Sequence, residues 1–193
     1  MTAEEVRSTS GIVPGSNIFR VRLAEAGARL EALPLIRQAE LVRKFPSTVG
    51  ITIVERVPVV LLNIEGEFWE VDVEAVPLRR KGSGWDRLPV ITGADLGSPN
   101  LQRVLDAVVM LPEQVVGDLS EVCYGDDFRV TLYTYEGIEV RLGQVDRFGE
   151  KGEILLEVLN VIRQGGRNVE YIDLSEPQKA VVKYAGGGAN DEE

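Results

Sequence analysis

The sequence predicts an α+β protein in two parts. A small helix-helix-strand-strand unit spans residues 1–57, and a mainly antiparallel β domain with two flanking helices spans residues 58–184. Three observations carry this. Apolar residues recur at helical spacing in short segments with recognisable starts and stops. Alternating, β-branched runs lie between clusters of turn residues. After Pro58 the runs become mostly strands.

In the first unit, Thr2-Ala3-Glu4-Glu5 is a capping box that starts a helix over about Ala3 to Thr9, ended at Gly11. The turn-rich loop Val13-Pro14-Gly15-Ser16-Asn17 follows. Leu23, Ala26, Gly27 and Leu30 then share one face of a helix over about Val21 to Leu33, stopped by Pro34. Arg37 to Phe45 and Val49 to Glu55 read as two strands joined at Pro46-Ser47, with Val49, Ile51 and Ile53 on one face.

The second unit opens with short strands at Val59–Leu62, Phe68–Val73 and Ala75–Leu78, then a polar loop from Arg79 to Gly84 and a strand ending at Ile91. Ser98-Pro99 supplies an N-cap and a first-turn proline for a helix whose inner face is Leu101, Val104, Leu105 and Val108. Three strands follow, near Leu119–Tyr124, Phe128–Tyr133 and Ile138–Leu142, with turns at Asp126-Asp127 and Glu136-Gly137. A helix over about Arg147 to Arg163 turns Leu155, Val158, Leu159 and Ile162 inward, and strands at Val169–Leu174 and Lys179–Tyr184 close the domain. Residues 185–193 form an acidic, Gly-rich tail that is expected to be disordered.

Composition removes whole classes of chemistry. With 193 residues and 44% apolar content, the chain can bury a substantial core. It has no histidine, which excludes Ser-His and Cys-His catalysis and His-ligated metal sites. Its one cysteine, Cys123, excludes an intramolecular disulfide and every CxxC motif. A net charge of −10 argues against a nucleic-acid binder. Gly125-Asp126-Asp127 reads as a hairpin turn before it reads as a cation site. Arg79-Arg80-Lys81 reads as a solvated loop, Cys123 as an inert thiol, and Trp69 or Trp85 as core residues. No catalytic constellation, metal site or cofactor site emerges, and none is expected. The last strand offers an edge whose unpaired backbone groups can take a strand from another chain. Gln178, Ala180, Val182 and Tyr184 fall on one of its faces, and Lys179, Val181 and Lys183 on the other.

The motif order resembles the POTRA and β domains of the FtsQ/DivIB cell-division proteins. The resemblance rests on Gly11, Pro14-Gly15, Asn17-Ile18-Phe19, Val42-Arg43-Lys44-Phe45-Pro46 and Glu55-Arg56-Val57-Pro58-Val59. Leu88-Pro89-Val90-Ile91-Thr92-Gly93, Gly137 to Gly143 and Tyr171-Ile172-Asp173-Leu174 follow in the family's order. It implies a non-enzymatic, single-pass protein of the cell membrane, concentrated at the septum, with this region extracytoplasmic. It implies FtsB/DivIC-like and FtsL-like partners, control of septal peptidoglycan synthesis, and other division proteins at the POTRA domain. It places the partner site at the C-terminal edge, on Tyr184, Lys183 and Val182, with Ala180, Gln178 and Glu176 beside them. The chain has no transmembrane segment and starts at the first POTRA helix, so it is expected to be a piece of a longer protein whose POTRA sheet lacks its first strand. Ser175 and Glu176 depart from the Arg and Tyr of some members, and Glu74 from a common turn glycine. Two other readings stay open: a POTRA protein that handles client polypeptides in transport or outer-membrane assembly, and a cytosolic enzyme built on carboxylates or a metal.

Overall fold

A computed structural model of the chain describes residues 1–82, 87–166 and 168–185. The chain divides into two compact units, Met1–Val57 and Pro58–Glu193.

The first unit holds α1 (Ala3–Ser10), α2 (Leu23–Glu31) and the antiparallel hairpin β1 (Ile36–Lys44) with β2 (Thr48–Glu55). Both halves of the capping box form: Glu5 N donates to Thr2 Oγ1 at 3.2 Å, and Thr2 N donates to Glu5 Oε2 at 2.7 Å. Gly11 ends α1 with φ +67°, a conformation that costs other residues about 1 kcal/mol or more. The Arg29 side chain returns from α2 to the Ser10 carbonyl, tying the two helices. Helix α2 packs on β1 through Ala26, Gly27 and Leu30, all buried. β2 pairs only with β1, so this sheet has two strands among the described residues. A groove of about 620 Å³ runs along α1 and β2, lined in part by Val6, Ile12, Ile51 and Ile53.

Among the described residues, the second unit is built on a nine-stranded sheet in the order β11-β10-β9-β8-β7-β6-β3-β4-β5. In chain order these are β3 (Pro58–Ile64), β4 (Glu67–Asp72), β5 (Pro77–Arg80), β6 (Val90–Thr92), β7 (Leu119–Tyr124), β8 (Arg129–Thr134), β9 (Glu139–Gln144), β10 (Val169–Asp173) and β11 (Val181–Tyr184). Helices α3 (Pro99–Val109), α4 (Glu113–Asp118) and α5 (Phe148–Gly165) complete it. One sheet face is buried. Leu62, Ile91, Val122, Leu132, Val140 and Ile172 pack there with Leu101, Leu105, Leu155 and Leu159 of the helices. Truncating a fully buried leucine such as Leu155 removes about 2–5 kcal/mol.

The sheet is mostly antiparallel, but three neighbouring pairs are parallel: β6 with β7, β3 with β6, and β9 with β10. Two of these come from helical crossovers. The chain passes through α3 and α4 between β6 and β7, and through α5 between β9 and β10, and so re-enters in the same direction. The short α4 adds a third helix to the two expected; α3 already stops at Val109, and Pro112, expected to end it, stands instead at the N-cap position of α4. β5 begins two residues later than expected. Asp72 Oδ1 accepts the amides of Glu74 and Val76 at 3.0 and 2.8 Å, and Ala75 takes φ +59°, so the turn reaches to Val76.

Gly93 explains the glycine of the Leu-Pro-x-x-Thr-Gly run. It has φ +77°, and a β-carbon there would lie 1.9 Å from the Tyr124 carbonyl oxygen. Asp127 lies in the turn between β7 and β8, accepting the Arg129 amide at 3.3 Å. Trp69 is partly buried against the core, with the Arg80 guanidinium 5.7 Å from its ring centre. Arg79 Nε donates to the buried Glu70 at 2.7 Å, and Arg80 pairs with Glu67 at 3.5 Å. Trp85, the last two residues of the loop from Arg79 to Gly84, and nearly all of the expected acidic tail lie outside the described residues.

Candidate functional site

Among the described residues, β11 is an end strand of the larger sheet and pairs only with β10. The register sets Val181 opposite Asp173, Val182 opposite Ile172, Lys183 opposite Tyr171 and Tyr184 opposite Val169, with a bulge between Val169 and Tyr171. Two hydrogen bonds fix which backbone groups face outward. Leu174 N donates to Arg141 O on the β9 side at 2.8 Å, so by strand alternation the amides of Asp173 and Tyr171 face β11. Ala185 N donates inward to Asn168 O at 2.8 Å. Both relations leave Val181 and Lys183 bonded to β10. The N–H and C=O groups of Val182 and Tyr184 therefore point away from the sheet, where a further strand would lie.

Side chains follow the same alternation. Val182 packs partly against the core beside the fully buried Ile172. Tyr184 stands at the strand end, 38% exposed. Lys183 lies on the other face, where its Nζ is 2.9 Å from Glu170 Oε2 and 5.5 Å from the Tyr171 ring. Arg141 stacks on the same ring at 4.1 Å, with its Nε on Glu139 at 2.7 Å. Hydrogen bonding to Glu170 holds the Lys183 amine above its ordinary pKa, so it is charged at neutral pH.

The remaining expected site residues sit differently. Pro177 to Lys179 form a 3-10 turn, so the strand begins at Val181 instead of Lys179. Pro177 is buried and takes the first position of that turn, which its fixed φ suits. Gln178 is thus on the turn and does not share a strand face with Val182 and Tyr184. Ala180 is exposed and extended just before β11, and Glu176 leads into the turn and pairs with Lys179 at 3.3 Å. The structure brings together Val182, Lys183 and Tyr184, and sets Glu176, Gln178 and Ala180 along the approach to them.

Two features escaped the sequence. Lys151 on α5 is fully buried, and its Nζ reaches Leu142 O at 2.8 Å, Gln144 O at 3.3 Å and Asp146 Oδ1 at 2.5 Å. Three donors meet three acceptors, so the amine serves as a clamp between the end of β9 and α5. Its signal was only a lysine within an amphipathic helix, which ordinarily faces water. The second feature is a polar hollow of about 370 Å³ at the ends of β7 to β10, lined by Cys123, Thr131, Arg141, Asp173 and Ser175 among others. Among the described residues, no group of three or more His, Cys, Asp or Glu could hold a metal ion. Nor is any helix among them long and apolar enough to cross a membrane.

Comparison with known proteins agrees with this architecture. Residues 1–56 match the family described as POTRA domain, FtsQ-type, and residues 55–175 match Cell division protein FtsQ/DivIB, C-terminal. The chain is 29% identical over 199 residues to the cell division protein FtsQ of Syntrophotalea carbinolica, covering 95% of this chain and 70% of that protein. It is 30% identical over 198 residues to FtsQ of Geobacter sp. (strain M21), covering 95% and 71%. FtsQ of Streptomyces griseus is 28% identical over 189 residues, covering 94% and 90%. A solved structure, the major extracytoplasmic domain of the trans isomer of DivIB from Geobacillus stearothermophilus, aligns with a TM-score of 0.44 and 21% identity. It covers 52% of this chain and 87% of that one.

Proposed function

Because the chain belongs to the FtsQ/DivIB family of cell division proteins, we propose that it is a non-enzymatic scaffold of the division machinery. It joins FtsB/DivIC-like and FtsL-like partners on the outer side of the cytoplasmic membrane at the septum, and through them helps control septal peptidoglycan synthesis. The family's members are membrane-anchored division proteins. The observation that carries the reading is the end position of β11, with the backbone N–H and C=O of Val182 directed outward.

Addition of a partner strand would pair the outward backbone groups of Val182. Backbone bonds at about 1 kcal/mol net each give a modest ladder, so side-chain anchors must supply the rest. Tyr184 is such an anchor, because a large ring at a strand end buries area at little entropic cost. Lys183 sets the charge that a partner meets on the open face. The POTRA-type unit remains available to other division proteins.

The test is a titration of the extracytoplasmic segment of an FtsB/DivIC-like protein against folded variants. Val182→Pro removes an outward donor and obstructs the new ladder while leaving the bonds to β10 in place, so it should weaken binding by at least about tenfold. Tyr184→Ala should weaken it too, and Lys179→Gln, on the 3-10 turn, should matter less. Parent-like binding by a folded Val182→Pro protein would move the site away from β11.

A further inference from the structure

Phe19 and Phe45 are 69% and 70% exposed, yet they are not loose surface residues. Phe19 follows α1 in the loop to α2, and Phe45 directly follows the strand β1, so they are distant in sequence. Their ring centres nevertheless lie 5.8 Å apart with planes tilted by 36°. The backbone beneath them is fixed. Asn17 Oδ1 accepts the Phe19 amide at 2.9 Å. Arg43 donates from Nε to Ile18 O at 3.0 Å and from Nη2 to Val21 O at 2.6 Å, fastening the loop to the end of β1. Neither ring lines the groove along α1 and β2. Two rigid aromatic rings are therefore held out into solvent, against the hydrophobic effect.

The charge around them departs from the rest of the chain. Residues 11–24 and 41–50 contain Arg20, Arg22, Arg43 and Lys44 and no acidic residue, in a chain of net charge −10. All four side chains are exposed. Arg22 pairs with Glu25 at 2.7 Å, and Arg43 engages carbonyl oxygens that leave its charge uncancelled. Exposed aromatic rings with cations beside them in the chain, Arg20 after Phe19 and Arg43-Lys44 before Phe45, are the composition of a membrane-interface anchor: rings sit among headgroups while cations meet lipid phosphates. Membership of a membrane-anchored family puts a bilayer within reach of this unit. We propose that the tip formed by Phe19, Phe45, Arg20 and Lys44 docks on the surface of an anionic lipid bilayer. This fixes how the first unit stands on the membrane, and it is independent of the β11 edge.

The 193-residue chain can be tested by co-sedimentation with vesicles of phosphatidylcholine alone and with roughly one-third phosphatidylglycerol. Partition should be at least about tenfold stronger on the anionic vesicles, despite the chain's overall negative charge, and should weaken in high salt. Phe19→Ala/Phe45→Ala should lower it about tenfold. Arg20→Glu/Lys44→Glu should abolish the anionic preference. Both pairs are solvent-exposed, and circular dichroism melting should match the parent. Val182→Pro should bind vesicles like the parent, which separates this proposal from the partner edge. Equal binding to both vesicle types, no binding to either, or parent-like binding by Phe19→Ala/Phe45→Ala overturns it. A photo-crosslinker at position 45 that labels protein in cells, with no vesicle binding in vitro, assigns the tip to a protein partner and also overturns it.

Discussion

Replacing Lys151 by methionine probes the second unit at its least conventional point. The methionine stem fills nearly the same volume, so the change removes an ammonium and leaves little cavity. Three interactions vanish: those to Leu142 O, Gln144 O and Asp146 Oδ1. They are not equal. Leu142 is fully buried, so its carbonyl loses a charge-assisted bond with no water to replace it, at about 1–3 kcal/mol. Gln144 is exposed and its carbonyl can rehydrate, at about 0.5 kcal/mol. The Asp146 side chain is 53% exposed, so solvent screening holds the ion pair to about 1 kcal/mol at most. Set against these is the relief of no longer burying an ammonium. The net expectation is a loss of about 2 kcal/mol, or roughly 7 °C in melting temperature for a domain of this size. Both tryptophans, Trp69 and Trp85, follow residue 57, so their fluorescence during urea unfolding reports on the second unit. The denaturant slope should stay constant while the midpoint falls. A midpoint within experimental error of the parent, or above it, would show that desolvation of the amine cancels its bonds and that the clamp contributes nothing to stability.

Other expectations follow from the same geometry. Gly93→Ala places a β-carbon against the Tyr124 carbonyl at a positive φ, and should destabilise the second unit by at least about 3 kcal/mol; a loss below 1 kcal/mol would mean the β6–β7 approach relaxes easily. The hydrogen bond from Lys151 holds the Asp146 carboxyl below the ordinary aspartate pKa. Since its folded-state pKa is the lower one, the stability it contributes is present above the unfolded value of about 3.9 and lost as pH falls through the folded value. Asp146→Asn should therefore lower the urea midpoint at pH 6 and differ less from the parent near pH 3; an equal difference at both would remove the carboxylate from the account.

Much of this fold was legible because its signals are local. The capping box at Thr2 and Glu5 and the Ser98-Pro99 start mark their helices without reference to anything distant. The strands on either side of Asp126-Asp127 alternate between buried and half-buried positions from Val122 to Tyr124 and from Val130 to Thr134. What was not legible depends on partners far along the chain. α4, Glu113–Asp118, is too short to show a period and contains Gly117. The late start of β5 depends on Asp72 capturing amides two and four residues ahead. The shortened β11 depends on Pro177 being buried in a turn, where alternation alone carries the strand back to Lys179. Lys151 could not be read at all, since its acceptors are created only when β9 and α5 meet. At the candidate edge, the sequence located Val182, Lys183 and Tyr184, while the direction of their backbone groups came from Leu174 and Ala185, which no pattern of side chains reveals.

The two ends of the large sheet are not equivalent. Were both receptive, each chain that added a strand could present a fresh edge to the next, and association would run on into filaments. β5, the outermost described strand opposite β11, is four residues long and opens with Pro77, which has no amide proton to give. Arg79 and Arg80 follow, held by Glu70 and Glu67, and put charge where a flat apolar edge would invite stacking. Growth is thereby confined to one side. On the proposed reading, a partner strand at β11 would join a sheet whose far end is blunted, which limits addition to one strand per sheet.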